Sequence, residues 1–439
     1  MNRAAPHRRG FAILLVLWVL IIAGVVIAAV QATAFSEAIS GRASMSRVRA
    51  HWAARAGVEA TIARLEYYTQ NPDLSDAFSI MLDMVDVSQQ TMKDSAFQVS
   101  HTEGGKEILG PADAHAKINV NGMSKEALAT LPYMTEDVAD SILDWIDADD
   151  DTNPLGAEIG YYQGRANSYQ PRNDYFRSIQ ELELVSGALP EFVRGEDWNL
   201  NGRLDPNEDD GDISYPPDNS DGKLDAEWSG ILTASSTDDV LGASGLARIE
   251  LLTADAGSVA KATGMDIDQA DVIVKYVQGS TSATMADFIR RQLSQLNGPT
   301  GQPINRQARN LTNEQLAALL DECEIETTAS VGPLPGKLNI NTCTAETLEY
   351  IPTINPTLAD NIILARDSQP KGFTSIVDLL NVPMGRNQLA QIYNVLTVRS
   401  NVFVVTCRGR DLKTGIEVEM VATIDRSTLP VKITELLTR

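Results

Sequence analysis

The sequence predicts an α+β protein: a long N-terminal helix laid on a small antiparallel sheet, with a large, mostly α-helical domain inserted between the strands. Three observations carry this. Residues 11–30 form an uncharged apolar run that continues into a helix-permissive stretch. A five-residue motif at 117–121 recurs at 337–341 and opens a longer match in unbroken register. Strand-like segments rich in β-branched residues stand before and after the duplicated region. With 439 residues, 43% of them hydrophobic, the chain is long enough for two or three domains.

The N-terminal element comes first. Residues 1–10 are basic through Arg3, Arg8 and Arg9, and FAILLVLWVLIIAGVVIAAV follows from Phe11 to Val30 with no charge before Glu37. Twenty apolar residues suit a bilayer-spanning helix, and the basic flank keeps the N-terminus cytoplasmic. An ordinary secretory signal has a shorter apolar core; here the small residues of a candidate cleavage site stand only at its far end, Ala32 to Ala34. A plain signal anchor is a second alternative. Arg9-Gly10-Phe11 before an apolar helix resembles the leader of type IV prepilins and pseudopilins. That resemblance implies cleavage after Gly10 by a prepilin peptidase and N-methylation of Phe11. Pilins of that family carry glutamate at the fifth mature position, where this chain has Leu15. A buried carboxylate without its partner is costly, so leucine suits a subunit with nothing stacked above it. The stretch Ala53-Ala54-Arg55-Ala56-Gly57-Val58-Glu59-Ala60 favours continuation of the helix to about Leu65, roughly 80 Å in all.

The duplicated region comes next. Lys117-Ile118-Asn119-Val120-Asn121 matches Lys337-Leu338-Asn339-Ile340-Asn341, and Glu126, Leu128, Pro132, Ala139, Asp140 and Ile142 match Glu346, Leu348, Pro352, Ala359, Asp360 and Ile362. Each copy reads as two helices around a short turn, followed by a further helix at 176–182 or 373–379. A third, degenerate copy is expected over residues 263–289. These units resemble the helix-hairpin-helix. The Gly-hydrophobic-Gly turn that brings backbone amides to phosphate is replaced by Tyr133-Met134-Thr135 and Thr353-Ile354-Asn355, so the fold is expected without phosphate binding.

Calcium is the expected cofactor, in a structural role. Asp197, Asn199, Asn201, Arg203, Asp205 and Glu208 occupy positions 1, 3, 5, 7, 9 and 12 of an EF-hand loop, with Gly202 at the sixth. Arg203 would give only its carbonyl, and Glu208 would close the shell. Asp218, Asn219, Asp221 and Asp225 form a degenerate second copy around Gly222, with Pro217 at the first ligand position. Asp147, Asp149, Asp151 and Asn153 also alternate as candidate calcium ligands. The bland alternative for each group is a solvated acidic turn.

The strands complete the fold. Residues 402–407, 416–424 and 431–433 read as C-terminal strands, with residues 97–101 as one before the helical region. This order resembles the pilin α/β fold with a helical domain inserted. The segment from Asp144-Trp145 through Gly156, Ala157, Glu158, Tyr161 and Tyr162 into residues 176–182 is similar to the signature of the type II secretion protein K family, whose helical domain binds calcium. That family resemblance implies a minor pseudopilin at the tip of the pseudopilus, initiating the filament and supporting protein export. Its partners would be other minor pseudopilins, the pseudopilus shaft, the prepilin peptidase and the inner membrane, with the bulk of a single-pass chain in the periplasm.

The layout is therefore a leader (1–10), a stem helix (11–65), the first part of the pilin-like domain (66–115), the first hairpin unit (116–190), an insertion with the calcium loop and a degenerate hairpin unit (191–332), the second hairpin unit (333–398) and closing strands (399–439).

Composition narrows the function classes. A formal net charge of −23 disfavours nucleic acid as a partner and favours divalent cations. Cys323, Cys343 and Cys407 are too few for a disulfide framework; they form one pair with a free thiol, or three buried thiols. None of the four histidines has zinc spacing, and no Gly-x-Ser-x-Gly elbow occurs, so no catalytic residue is assigned and an enzyme is not expected. The competing functions are a membrane-anchored helix-hairpin-helix DNA-binding protein and an anchored calcium-dependent adhesin.

Overall fold

The structure, a computed structural model, describes residues 9–326 and 334–439, so residues 1–8 of the predicted leader lie outside the described residues. Helix α1 runs Arg9–Gln70, 62 residues without interruption, about 93 Å at 1.5 Å per residue. It extends past the expected end near Leu65 because Leu65, Tyr68 and Thr69 are buried against the head and keep the last turn ordered. Its first half is exposed on all sides, from Phe11 through Val30. Among the described residues it is the one helix long and apolar enough to cross a membrane.

From Ser46 onward one face of α1 is buried, with Ala50, Ala53, Ala54, Val58 and Thr61 all inaccessible. That face lies on a seven-stranded sheet. Its strands are β1 (Gln89–Thr91), β2 (Ser95–Glu103), β3 (Lys106–Leu109), β4 (Ala112–Asp113), β5 (Val402–Asp411), β6 (Glu417–Asp425) and β7 (Lys432–Thr438). The main path is β1-β2-β5-β6-β7, all antiparallel, with β3 beside β2 and β4 beside β5. The chain therefore leaves the sheet after β4 and returns at β5, its central strand. Each expected C-terminal strand is present; β5 and β7 are longer than the sequence pattern marked, and β6 is displaced by one residue.

The seat of α1 is set by two glycines. A Cβ on Gly409 of β5 would lie 2.0 Å from the Ala50 carbonyl oxygen and 2.3 Å from the Ala54 nitrogen. A Cβ on Gly57 would lie 2.4 Å from Cys407 Sγ and 2.7 Å from Phe97 Cδ2. Helix and strand thus meet backbone to backbone, closer than any larger residue allows.

Between β4 and β5 the described residues of the helical region form three two-helix units, each closed by a two-residue parallel ladder. The ladders pair residues 118–119 with 232–233, 249–250 with 323–324, and 338–339 with 396–397. The third unit, expected as a degenerate copy, uses Ala256–Thr263 and Ile267–Gly279 around a turn at Gly264, with Met285–Arg290 and Asn313–Glu322 behind them. This unit within 191–332 shares one hydrophobic core with the 338–397 unit, while the first unit has its own core around Trp145, Tyr162, Phe176 and Trp228.

The repeated motif does the same work in both copies. Asn119 and Asn339 accept from the amides of Asn121 and Asn341 at 3.0 and 2.9 Å. Asn121 accepts from Phe176 N at 2.7 Å and donates to its carbonyl at 3.0 Å; Asn341 does so with Phe373 at 2.8 and 2.9 Å. Each buried amide satisfies a backbone segment that no helix or strand pairs. Ser124 and Thr344 cap equivalent short helices.

Candidate functional site

Two acidic groups dominate the first unit. The first grows from helix Glu136–Ile146, whose last turn carries Asp144 inward, fully buried. Asp147 is the C-cap of that helix, and Glu158 caps the next helix, Ile159–Gln163, accepting from Ile159 N at 3.2 Å. One oxygen from each of the three lies within 4.8 Å of the others. Asp144 Oδ2, Asp147 Oδ1 and Glu158 Oε1 are buried and have no hydrogen-bond partner. The other Asp144 oxygen accepts from the Asn153 amide at 3.1 Å and its side chain at 2.5 Å. Gly156 makes the close return possible, since a Cβ there would sit 2.0 Å from Asp144 Oδ2.

Burial, then Asp144 and Asp147, push the Glu158 carboxyl up to about 7, and burial with Asp149 and Asp144 raises Asp147. Three orphaned anionic oxygens in one dehydrated spot repel one another until something positive joins them. The loop carrying them is held by aromatic packing. Trp145 stacks on Phe176 at 6.0 Å and meets Tyr162 edge-on at 5.4 Å.

Of the quartet read from the sequence, Asp147 alone belongs to this group. Asp149 and Asp151 are exposed, and Asn153 orders Asp144 rather than joining the oxygens. The sequence reading missed Asp144 and Glu158 because they do not alternate with the others in sequence. They meet through the bend at Gly156.

The second group is the 197–208 loop. Asp197 accepts from Asn201 N at 2.9 Å and Gly202 N at 2.8 Å, Asn201 Oδ1 accepts from Arg203 N at 2.6 Å, and Glu208 accepts from Trp198 N at 3.1 Å and Asp205 N at 3.0 Å. Asn199 and Asn201 both donate to Asp205 Oδ2, at 2.7 and 2.8 Å. Five side chains of the pattern, with the main chain of Arg203, are thus drawn into one ring. Asp197 and Glu208 are buried, and burial raises both carboxyls. Pro206 starts a single 3-10 turn inside the loop.

The degenerate copy repeats this bonding with two substitutes. Lys223 N donates to Asp221 Oδ1 at 2.9 Å and Asn219 Nδ2 to Asp225 Oδ2 at 2.9 Å. Gly222 N donates to Asp209 Oδ1 at 3.0 Å, where the first loop uses Asp197. Glu196 accepts from Asn219 N at 3.2 Å and Asp225 N at 3.0 Å, in the manner of Glu208. Asp218 instead turns to the amides of Asp210 and Gly211. The repeated Glu-Asp dipeptide, 196–197 and 208–209, was the sequence signal for this exchange.

The excursion leaves and rejoins the unit at one point. Glu196 N donates to Asp225 O at 2.9 Å, and Gly195, at φ +56°, leaves no room for a Cβ, which would lie 2.0 Å from that oxygen. A cavity of about 790 Å³ lies elsewhere, between the end of α1 and the repeats, and no residue of either acidic group lines it.

Leu15 is half-exposed on the bare part of α1. Phe11 is exposed near the start of the described helix, and of Gly10 only the helical backbone is described. Cys323, Cys343 and Cys407 are free, buried thiols, each pushed up to about 12 chiefly by burial.

Comparison with known proteins places these features. Residues 116–195 match the first domain of type II secretion system protein K, and residues 336–397 match the helix-hairpin-helix motif. No curated protein matches. Among solved structures, the chain is similar to one in the GspK-GspI-GspJ complex of the enterotoxigenic Escherichia coli type 2 secretion system. That match has 13% identity, covers 91% of this chain and 99% of the other, and has a TM-score of 0.47. The matched stretch spans both the first repeat and the orphaned carboxylates, so this part of the chain is similar to the first domain of type II secretion system protein K.

Proposed function

We propose that this chain is the tip subunit of the pseudopilus, that it initiates filament assembly, and that structural calcium holds its head together. The observation that carries the reading is the join between stem and head. One unbroken helix passes from the exposed apolar segment into the sheet, so a pull on the stem is a pull on the head. Exposed apolar side chains continue beyond the span at Phe35, Ile39, Met45, Val48 and Trp52, surface suited to stems of other minor pseudopilins. Leu15 removes the carboxylate that would need a neighbour's amine above it. The helical region adds bulk that crowds lateral stacking in a shaft. In this reading processing occurs after Gly10, and the head stands in the periplasm.

Calcium fits the donor sets. The Asp144, Asp147 and Glu158 oxygens are hard, anionic and unpaired, as an oxygen-ligated divalent cation requires. The 197–208 loop supplies the same chemistry with Asp197, Asn199, Asn201, Asp205, Glu208 and the Arg203 carbonyl. Asp209, Asn219, Asp221, Asp225 and Glu196 offer a further set. When bound, the cation supplies charge neutralisation; the residues orient the loops and keep water out.

The test is labelling of assembled pseudopili with an antibody to the helical region. Label confined to one filament end, and no filaments in a deletion strain, supports the reading. Label distributed along the shaft overturns it.

A further inference from the structure

The 197–208 loop touches more than its own unit. Arg203 Nη2 lies 2.8 Å from Glu419 Oε2 of β6, with the two side chains 30% and 17% exposed. On β6, Met420, Ala422 and Ile424 are buried in the core that α1 covers, so Glu419 alternates to the opposite face of the sheet. The loop therefore reaches around to the face that the stem does not cover. Arg408, directly across the ladder from Glu419, spends its guanidinium on Glu107. Among the described residues Arg203 is the cation that pairs with Glu419, and Glu419 the acid that pairs with Arg203.

We propose that calcium in this loop latches the helical region to the outer face of the sheet through Arg203 and Glu419. The inference rests on the calcium reading of the loop. Arg203 stands at the seventh position, where the pattern uses the backbone carbonyl as ligand, so its main chain would be fixed at the ion while its side chain leaves for the sheet. A filled loop holds the guanidinium in reach of Glu419; an empty loop leaves the residue free to wander, and the pair then costs more order to make. Linkage makes the effect mutual: a contact favoured by calcium must favour calcium by the same factor. A half-exposed ion pair corresponds to about a threefold change in affinity.

The sign of one variant separates this from simple charge. Removing the positive charge of Arg203 from beside an acidic loop would tighten calcium binding if charge alone mattered. The latch requires that it weaken. The experiment uses the full chain in detergent micelles, with terbium luminescence sensitised by Trp198 inside the loop and calcium as competitor. The component lost in Glu208→Gln is assigned to the loop. The latch predicts that Arg203→Gln and Glu419→Gln each weaken calcium about threefold, and that the double variant is no weaker than either. Unchanged or tighter binding by Arg203→Gln overturns the latch while leaving the loop a calcium site. A terbium signal in Glu208→Gln equal to that of the parent protein overturns the calcium reading of the loop and the latch with it.

Discussion

Replacing Gly409 by alanine tests the seat of the stem helix on the sheet. The new methyl would lie 2.0 Å from Ala50 O, 2.3 Å from Ala54 N and 3.0 Å from Ala54 Cα, against 3.4 Å or more for an ordinary contact. Every one of those atoms is backbone, so no side chain can swing away. Relief requires helix and strand to part by about 1.4 Å locally, a gap that strips close contacts from their neighbours. Overpacking of this kind costs about 1–3 kcal/mol, and a rigid obstacle puts Gly409→Ala near 3 kcal/mol. For a head of this size that lowers the unfolding midpoint by roughly 3–5 °C. The assay is calorimetric or circular-dichroism melting of the full chain in detergent. Gly41→Ala is the matched control: nothing lies within 4 Å, and α1 should gain up to about 1 kcal/mol of helix propensity. Gly57→Ala should fall between the two, because its obstacles are the side chains of Cys407 and Phe97. A Gly409→Ala midpoint within about 2 °C of the parent would refute the described register between α1 and β5.

Further outcomes follow from the same geometry. Glu158 has a folded pKa raised to about 7 from an ordinary 4.5, so the folded state without metal holds its proton more tightly than the unfolded chain. In chelator the melting temperature should therefore rise as pH falls from about 7 towards 5, and Glu158→Gln should flatten that slope. Calcium, which needs the carboxylate ionised, should reverse it. Asn341→Ala leaves the amide and carbonyl of Phe373 and the Val398 carbonyl without their buried partner, and should cost about 3 kcal/mol in denaturant melts. Conversely, the three thiols are buried and far from thiolate character at neutral pH, so a disulfide-exchange reagent should titrate none in the native head and three after denaturation.

Much of this was legible in the sequence. The stem was clear because twenty uncharged residues have few uses, and the duplication because the Asn-x-Asn motif must hold the same backbone segment twice. The 197–208 loop was legible because its oxygen-bearing side chains alternate locally. What local pattern did not carry was assembly by bends. Asp144 and Glu158 meet only because Gly156 lets the chain return on itself. Asp209 and Glu196 serve the second loop from outside its own span, which hid them behind Pro217 and Asp218. The third unit kept its helices and closing ladder while losing the Asn-x-Asn signature, so its shared core with the 338–397 unit was not visible in residue identities. The exposed strand β7 ran past the expected 431–433 because pairing with β6, not its own apolar content, fixes its length.

Whether the apolar segment is processed as the stem of a pseudopilin is read from the mass of the native N-terminal peptide. In cells with an active prepilin peptidase the chain should begin at Phe11 and carry one added methyl group. A chain from such cells that still retains residues 1–10 would contradict it.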